Sequence, residues 1–297
     1  MHVRSLELVD HFARFLSTER RLSPHTTSAY RLDLVALVAF CWRTRLLDWA
    51  AVEVKHVRTF AAQSHAGGLS PSSVQRRLSA LRTFFRFLLR EGVVGANVAE
   101  LVQAPRAARK LPEVLDAQRM ARLLDIPDTR DKAVMELLYS SGLRLAELVS
   151  LNVSDLDLMD RIVRAEGKGS KTRLVPVGRI AITAIQQWLR IRKRVAKPGE
   201  PALFVGRGGH RLQRRAVQGL VSFWAQHQGI NVRVHPHLFR RAAATHLLES
   251  SGDIRAVMDF LGHASSSTTQ IYTHLDSQRL LEVYSATHPR AHRRPPL

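Results

Sequence analysis

Two short runs in the last third of the chain gather imidazole, guanidinium and phenol groups: HPHLFRR, residues 235–241, and LGHASSSTTQIYTH, residues 261–274. A free tyrosine titrates near about pH 10, so it attacks phosphorus only when its proton is drawn off and the growing charge is held. Tyr272 has groups suited to both tasks nearby in sequence, since His263 lies nine residues before it and His274 two after. The product of that attack is a covalent phosphodiester link between the phenol and a nucleic-acid strand, made without nucleotide or metal. The remaining tyrosines are Tyr30, Tyr139 and Tyr284, and Tyr284 sits beside Leu280, Leu281 and Val283 in an amphipathic stretch that reads as packing.

Besides Tyr272 and its neighbours, three segments carry matching chemistry. In HPHLFRR, Pro236 suits the first turn of a helix, which puts His237 and Arg240 on one face near its N-terminus, where a phosphate is favourably held. His235 and Arg241 offer a competing register that spacing leaves open. In SGLRLAEL, Arg144 follows closely on Gly142, with Glu147 at i+3. That is either a surface pair or an arginine turned into a cleft and held by the carboxylate. In GKGSKTR, glycines flank Lys168 at the tip of a hairpin that can approach a backbone closely, and Lys171 and Arg173 are placed as further phosphate contacts.

These groups need a scaffold, and the sequence predicts a mainly α fold with a small β-sheet. Helices are expected over 5–18, over 26–43 after Ser23-Pro24, over 54–65 ahead of Gly67-Gly68, and over 71–90 after Ser70-Pro71. The last carries Arg76, Arg77, Arg82, Arg86 and Arg90 around an apolar stripe. That pattern suits a helix lying on DNA, and an ordinary amphipathic helix accounts for it equally. Residues 103–112, basic and proline-flanked, read as a linker between a helical domain at 1–102 and a second domain at 113–297. In the second domain, helices are expected over 116–124 and 131–140, and short strands over 161–165 and 172–176. Further helices are expected over 180–194, 214–228, 236–250, 254–261 and 277–287, before a basic tail.

Lys and Arg number 45 against 25 Asp and Glu, a net charge of +20 over 297 residues. Such an excess repels itself in a compact chain, so a polyanionic partner, double-stranded DNA above all, is expected. Cys41 is the only cysteine, which excludes an intrachain disulfide and a Cys-based zinc site. The charged start lacks a signal-peptide core, and the longest apolar run, 34–42, is too short to span a bilayer. A soluble, cytoplasmic protein without membrane contact is expected.

Taken together the motifs resemble those of the tyrosine recombinase (lambda-integrase-like) family. That pattern is an arginine in G-L-R-x-x-E, a lysine on a β-hairpin, H-x-x-R, L-G-H, and a tyrosine nine residues on. It falls in the family's order on Arg144, Lys168, His237, Arg240, His263 and Tyr272. The whole chain resembles the family's XerC-type branch, through LSALRTFFRFLLREG, APRAARKLPEVL, THLLESSGDIRAVMDFLGH, STTQIYTHLD and HPRAHRR. One departure is that Arg241 and three alanines follow Arg240, where the family usually has a histidine and then a bulkier residue. It bears on packing behind the site.

The resemblance implies a SAM-like, DNA-clamping N-terminal domain and a catalytic domain bearing those six residues, with Glu147 supporting Arg144. Tyr272 would attack the scissile phosphate to give a 3′-phosphotyrosyl link, Arg144 and Arg240 would hold the non-bridging oxygens, and Lys168 would protonate the leaving 5′-oxygen. His237 would help take the phenolic proton, and His263 would bond a phosphate oxygen. No cofactor or metal is implied. Arg76, Arg77, Arg82, Lys171 and Arg173 would contact DNA, and the helix at 277–287 would dock on a neighbouring protomer. The implied partners are a dif-like recombination site, a XerD-type recombinase in a heterotetramer, and an FtsK-type translocase. The implied outcome is resolution of chromosome and plasmid dimers through a Holliday junction. A mobile-element integrase, a catalytically inert DNA-binding regulator and a type IB topoisomerase are the competing readings.

Overall fold

A computed structural model of the protein describes residues 2–20, 22–46, 48–104, 115–167, 172–262 and 283–291. Lys168, Lys171, His263 and Tyr272, with most of the expected linker, lie outside the described residues. The chain divides into two compact units, residues 1–110 and 111–297, each with its own apolar core. Among the described residues no helix is long and apolar enough to cross a membrane.

The first unit is built from α1 (His2–Thr18), α2 (Pro24–Arg43), α3 (Val54–Ala66) and α4 (Pro71–Arg90). Two Ser-Pro starts work as capping theory requires: the Ser23 hydroxyl accepts from the Thr26 N–H, and that of Ser70 from the Ser73 N–H, each at 3.2 Å. Phe12, Phe84, Phe87 and Trp49 stack edge-on or tilted within the core. Cys41 is buried and free, and burial pushes its thiol up to about 11, so it is an inert apolar side chain.

The arginine-rich helix proves to be tied inward. Arg76 and Arg77 both bond the carboxylate of Asp33 on α2, which is buried. Arg77 also donates to Ser64 Oγ at 2.7 Å and lies over the Phe60 ring. Arg82 donates to the carbonyls of Ala99 and Val102, Arg86 pairs with Glu100, and Arg90 pairs with Glu19 and Glu91. Of the expected DNA contacts in this helix, Arg77 and Arg82 make these intradomain bonds, and Arg76, 44% exposed, bonds Asp33 as well. The cause is acceptors in their own domain, a buried carboxylate on α2 and the carbonyls of Ala99 and Val102.

The second unit is organised around α6 (Thr129–Ser141), buried on nearly every side and packed mainly against α8 (Arg179–Val195) and α10 (Pro236–Ser251). Around them lie α5 (Ala117–Leu124), α7 (Leu145–Ser150), α9 (Arg214–His227) and α11 (Ile254–Leu261). A three-stranded antiparallel sheet, in the order β1 (Leu156–Asp157), β2 (Ile162–Glu166), β3 (Thr172–Pro176), flanks the bundle. The β2–β3 register pairs Glu166 with Thr172 and Ala165 with Arg173. The two-residue β1 was not expected, being too short to show a period.

The expected C-terminal helix is described only from residue 283, and residues 283–287 are helical. Tyr284, His288, Arg290 and Ala291 are buried in their own domain. The Tyr284 hydroxyl donates to the Ser140 carbonyl at 2.9 Å and meets Ser140 Oγ at 2.7 Å, while His288 is fully buried and stacked on the Tyr284 ring. Arg290 pairs with the buried Glu136. A Cβ at Gly178 would lie 2.1 Å from the Arg290 carbonyl oxygen, so only glycine admits this segment.

Candidate active site

The site is assembled where the ends of α6, α7, α10, α11 and strand β3 converge. Gly142 closes α6 with φ +55, and a Cβ there would lie 2.7 Å from the Phe260 ring of α11. Glycine therefore serves both the left-handed turn and the close approach. Two residues on, Arg144 occupies the N-cap of α7. Glu147, at the third helical position, accepts the Arg144 backbone N–H on Oε2 at 2.8 Å, the reciprocal bond of a capping box. At the far end of this short helix, Arg211 Nη1 donates to the carbonyls of Val149, Ser150 and Leu151. Both ends of α7 are thereby held, and with them the direction in which Arg144 projects.

Glu147 is the hub. Its side chain is 4% exposed, and its Oε1 accepts from Arg144 Nη1 at 2.8 Å. Arg173 forks onto the same carboxylate, Nη1 to Oε1 at 2.8 Å and Nη2 to Oε2 at 2.7 Å. Burial works to raise the Glu147 carboxyl, but the bonds from Arg173 and from the Arg144 backbone and side chain outweigh it and hold the group at about 2.

Arg240, on α10, is 9% exposed and ties the two glycine-closed helix ends together: Nη1 donates to the Gly142 carbonyl at 2.5 Å and Nη2 to that of Leu261. Burial, followed by repulsion from Arg144 and Arg173, lowers its guanidinium to about 10. Three guanidiniums thus crowd one carboxylate and leave a cationic surplus. Arg144, 40% exposed, is the arginine of the three most open to an incoming group. An anion with several acceptor oxygens, such as a phosphodiester, would relieve that crowding and use the remaining donors.

The structure places Arg240 rather than Arg241 in the cluster; Arg241 is exposed, so the side chain standing where the family usually has a histidine does not enter the core. The alanines at 242 and 243 are fully buried there. His237 is exposed on the first turn of α10, its ring centroid 6.4 Å from that of His235. Burial, then the nearby His237, Arg241 and Arg233, lowers the His235 imidazole.

Arg173 departs from expectation. It was expected as a solvated phosphate contact near the hairpin tip, yet its side chain is 8% exposed, with both terminal nitrogens bonded to Glu147. Strand alternation is the signal that could have found it: Arg173 shares a face with the buried Val175, while Leu174 between them is exposed. Its aliphatic stem packs under Gly262, where a Cβ would lie 2.7 Å from Cδ and 2.8 Å from Nε.

Two of the remaining tyrosines are unsuited to attack. Tyr139 is buried with its hydroxyl 2.8 Å from His246 Nδ1, and Tyr284 is held on Ser140; burial pushes both phenols far up.

With this geometry established, similarity to known proteins is informative. The profile of the phage integrase family matches residues 113–279, and that of the phage integrase N-terminal SAM-like domain matches residues 9–92. The chain is 47% identical over 285 residues to the tyrosine recombinase XerC of Haemophilus ducreyi, covering 94% of this chain and 93% of that one. It is 48% identical over 290 residues to the tyrosine recombinase XerC of Salmonella typhi, covering 96% of each. In fold it is similar to the XerH site-specific recombinase solved in a post-cleavage complex with a palindromic difH substrate. The TM-score is 0.72 at 21% identity, covering 95% of this chain and 84% of that one.

Proposed function

This chain belongs to the phage integrase family, as a XerC-type tyrosine recombinase that breaks and rejoins DNA, and we propose that Tyr272 is its nucleophile. The observation that supports this reading most is the surplus of cationic donors at the crowded carboxylate, Arg144, Arg173 and Arg240 around Glu147. In the cleavage step the Tyr272 oxygen bonds to phosphorus as the bond to the 5′-oxygen breaks. Lys168, which falls between β2 and β3 in sequence, gives its proton to the departing 5′-oxygen, and the phenolic proton passes to His237 or through it to water. Arg144 and the free donors of Arg240 hold the non-bridging oxygens as charge builds on them, with His263 bonding one of these. The phosphodiester energy is kept in the 3′-phosphotyrosyl bond, so rejoining to another strand's 5′-hydroxyl needs no nucleotide.

Residues 1–102 would clamp the duplex, 103–112 would link the units, and 113–297 would carry the chemistry. Resemblance along the whole chain to XerC-type enzymes supports a dif-like site, a XerD-type recombinase as the other half of a heterotetramer, an FtsK-type translocase as regulator, and a cytoplasmic setting. Exchange through a Holliday junction would then resolve chromosome and plasmid dimers.

A nicked suicide duplex bearing a dif-like site, incubated in EDTA without ATP, tests this. Wild type should give a DNA-linked band on a denaturing gel, alone or once the XerD-type protein is added, and Tyr272→Phe none. Equal bands from both would remove Tyr272 from the role. No band from wild type with the partner, on DNA it still binds, would leave an inert DNA-binding scaffold.

A further inference from the structure

We propose that Arg173 is a positioning residue for strand cleavage, holding the catalytic arginines in register through Glu147 rather than touching DNA itself. This rests on the recombinase reading above. Its side chain is nearly enclosed, and its two terminal nitrogens are committed to the two oxygens of Glu147, at 2.8 and 2.7 Å. The same oxygens receive the side chain and the backbone N–H of Arg144, so Arg173 fixes the group that fixes Arg144.

A second contact lies on the other side of Arg173. Its Cδ and Nε lie against Gly262, whose φ of +60 closes α11 one residue after Leu261. The Leu261 carbonyl is one of the two that anchor Arg240. Arg173 therefore touches both supports of the cluster: the carboxylate that orients Arg144, and the helix end that orients Arg240. It stands on β3, which pairs with β2. One side chain thus links the segments that carry Arg144 and Arg240.

Two properties make arginine the fitting residue. The planar fork matches both carboxylate oxygens at once, which a lysine ammonium on a flexible stem does not. The flat stem also slides beneath Gly262, where a Cβ would already overlap it. A misplacement of about 1 Å at the reacting centre costs on the order of 100-fold in rate, so loosening the fork should act on the chemical step far more than on binding.

The test compares Arg173→Lys and Arg173→Gln, each alone and combined with Glu147→Gln. It reads single-turnover covalent-complex formation on the suicide duplex at saturating protein, together with DNA affinity, its salt dependence, and thermal unfolding. Arg173→Lys should keep the fold and cleave roughly 10-fold slower, and Arg173→Gln roughly 100-fold slower, with DNA affinity within about 2-fold of wild type. Added to Glu147→Gln, either change should cost clearly less than it does alone, the remainder coming from the contact beneath Gly262. Should Arg173→Gln fail to fold, Arg173→Lys carries the test.

Wild-type cleavage rates in a well-folded Arg173→Lys would overturn the proposal while leaving the recombinase reading intact. So would full additivity with Glu147→Gln, or a fall of about one in the salt slope of DNA binding, which marks a direct phosphate contact. A wild-type protein that never becomes covalent would overturn both.

Discussion

Each of the two units contains a nearly buried carboxylate gripped by arginines, and only one of them is built for catalysis. Asp33 receives Arg76 and Arg77, neighbours on a single helix; Arg77's other donor goes to Ser64 and its plane rests on Phe60. The result is a staple between α2 and α4. Glu147 receives Arg144 and Arg173 from separate elements, and Arg240 is buried beside them, burial first and their repulsion second lowering its guanidinium to about 10. The chemical pieces are the same. What differs is the number of cations per anion and the number of elements supplying them: two guanidiniums from one helix meet Asp33, whereas three from separate elements surround Glu147 and leave the larger surplus there.

The sharpest way to break that contrast is to remove a guanidinium. Arg144→Ala and Arg240→Ala should each slow suicide-substrate cleavage by about 100- to 1,000-fold, the range for losing one donor to a developing oxyanion, with DNA binding largely kept. A small effect from either would make the second cluster a staple as well.

Stripping the carboxylates instead should separate stability from chemistry. Glu147→Gln leaves three crowded guanidiniums without a counter-charge and should cost about 3–5 kcal/mol of stability, read by denaturant unfolding, as well as cleavage rate. Asp33→Asn should cost about 1–3 kcal/mol and leave the cleavage rate per folded molecule unchanged.

Acidity offers a milder probe. Glu147 lies at about 2 when folded against an ordinary 4.5, so its stabilisation is complete above about pH 4.5 and is lost as pH falls toward 2. Glu136, raised by burial to about 7 despite Arg290 and Lys132, runs the other way: its share is complete below about pH 4.5 and lost as pH rises through 7. Melting temperature followed against pH should therefore lose its acid limb in Glu147→Gln and its neutral limb in Glu136→Gln. The smallest effect expected is none: Arg77→Gln or Arg82→Gln should leave the salt slope of DNA binding unchanged. A drop near one would restore them as phosphate contacts.

Most helices of both units were legible in the sequence because their signals are local: Ser23 and Ser70 ahead of proline, Gly142 and Gly262 at helix ends, and apolar spacing between. Arg144, His237 and Arg240 were legible as types at fixed spacing. The roles of Arg77, Arg82 and Arg173 were not, because an arginine's surroundings are decided by acceptors distant in sequence. Arg77 and Arg173 find carboxylates 44 and 26 residues away. Charge argued for solvent at Arg173, while strand parity argued for burial beside Val175, and parity prevailed because Glu147 was there to receive it. The placement of Tyr284 was legible as packing, but its bond to Ser140, 144 residues away, was not.

The most direct measurement is to digest the covalent complex from the suicide duplex and identify the DNA-bearing peptide by mass spectrometry. A nucleotide remnant is expected on the peptide containing Tyr272, joined through its phenolic oxygen. A remnant on Tyr284, or on any residue other than Tyr272, would contradict it.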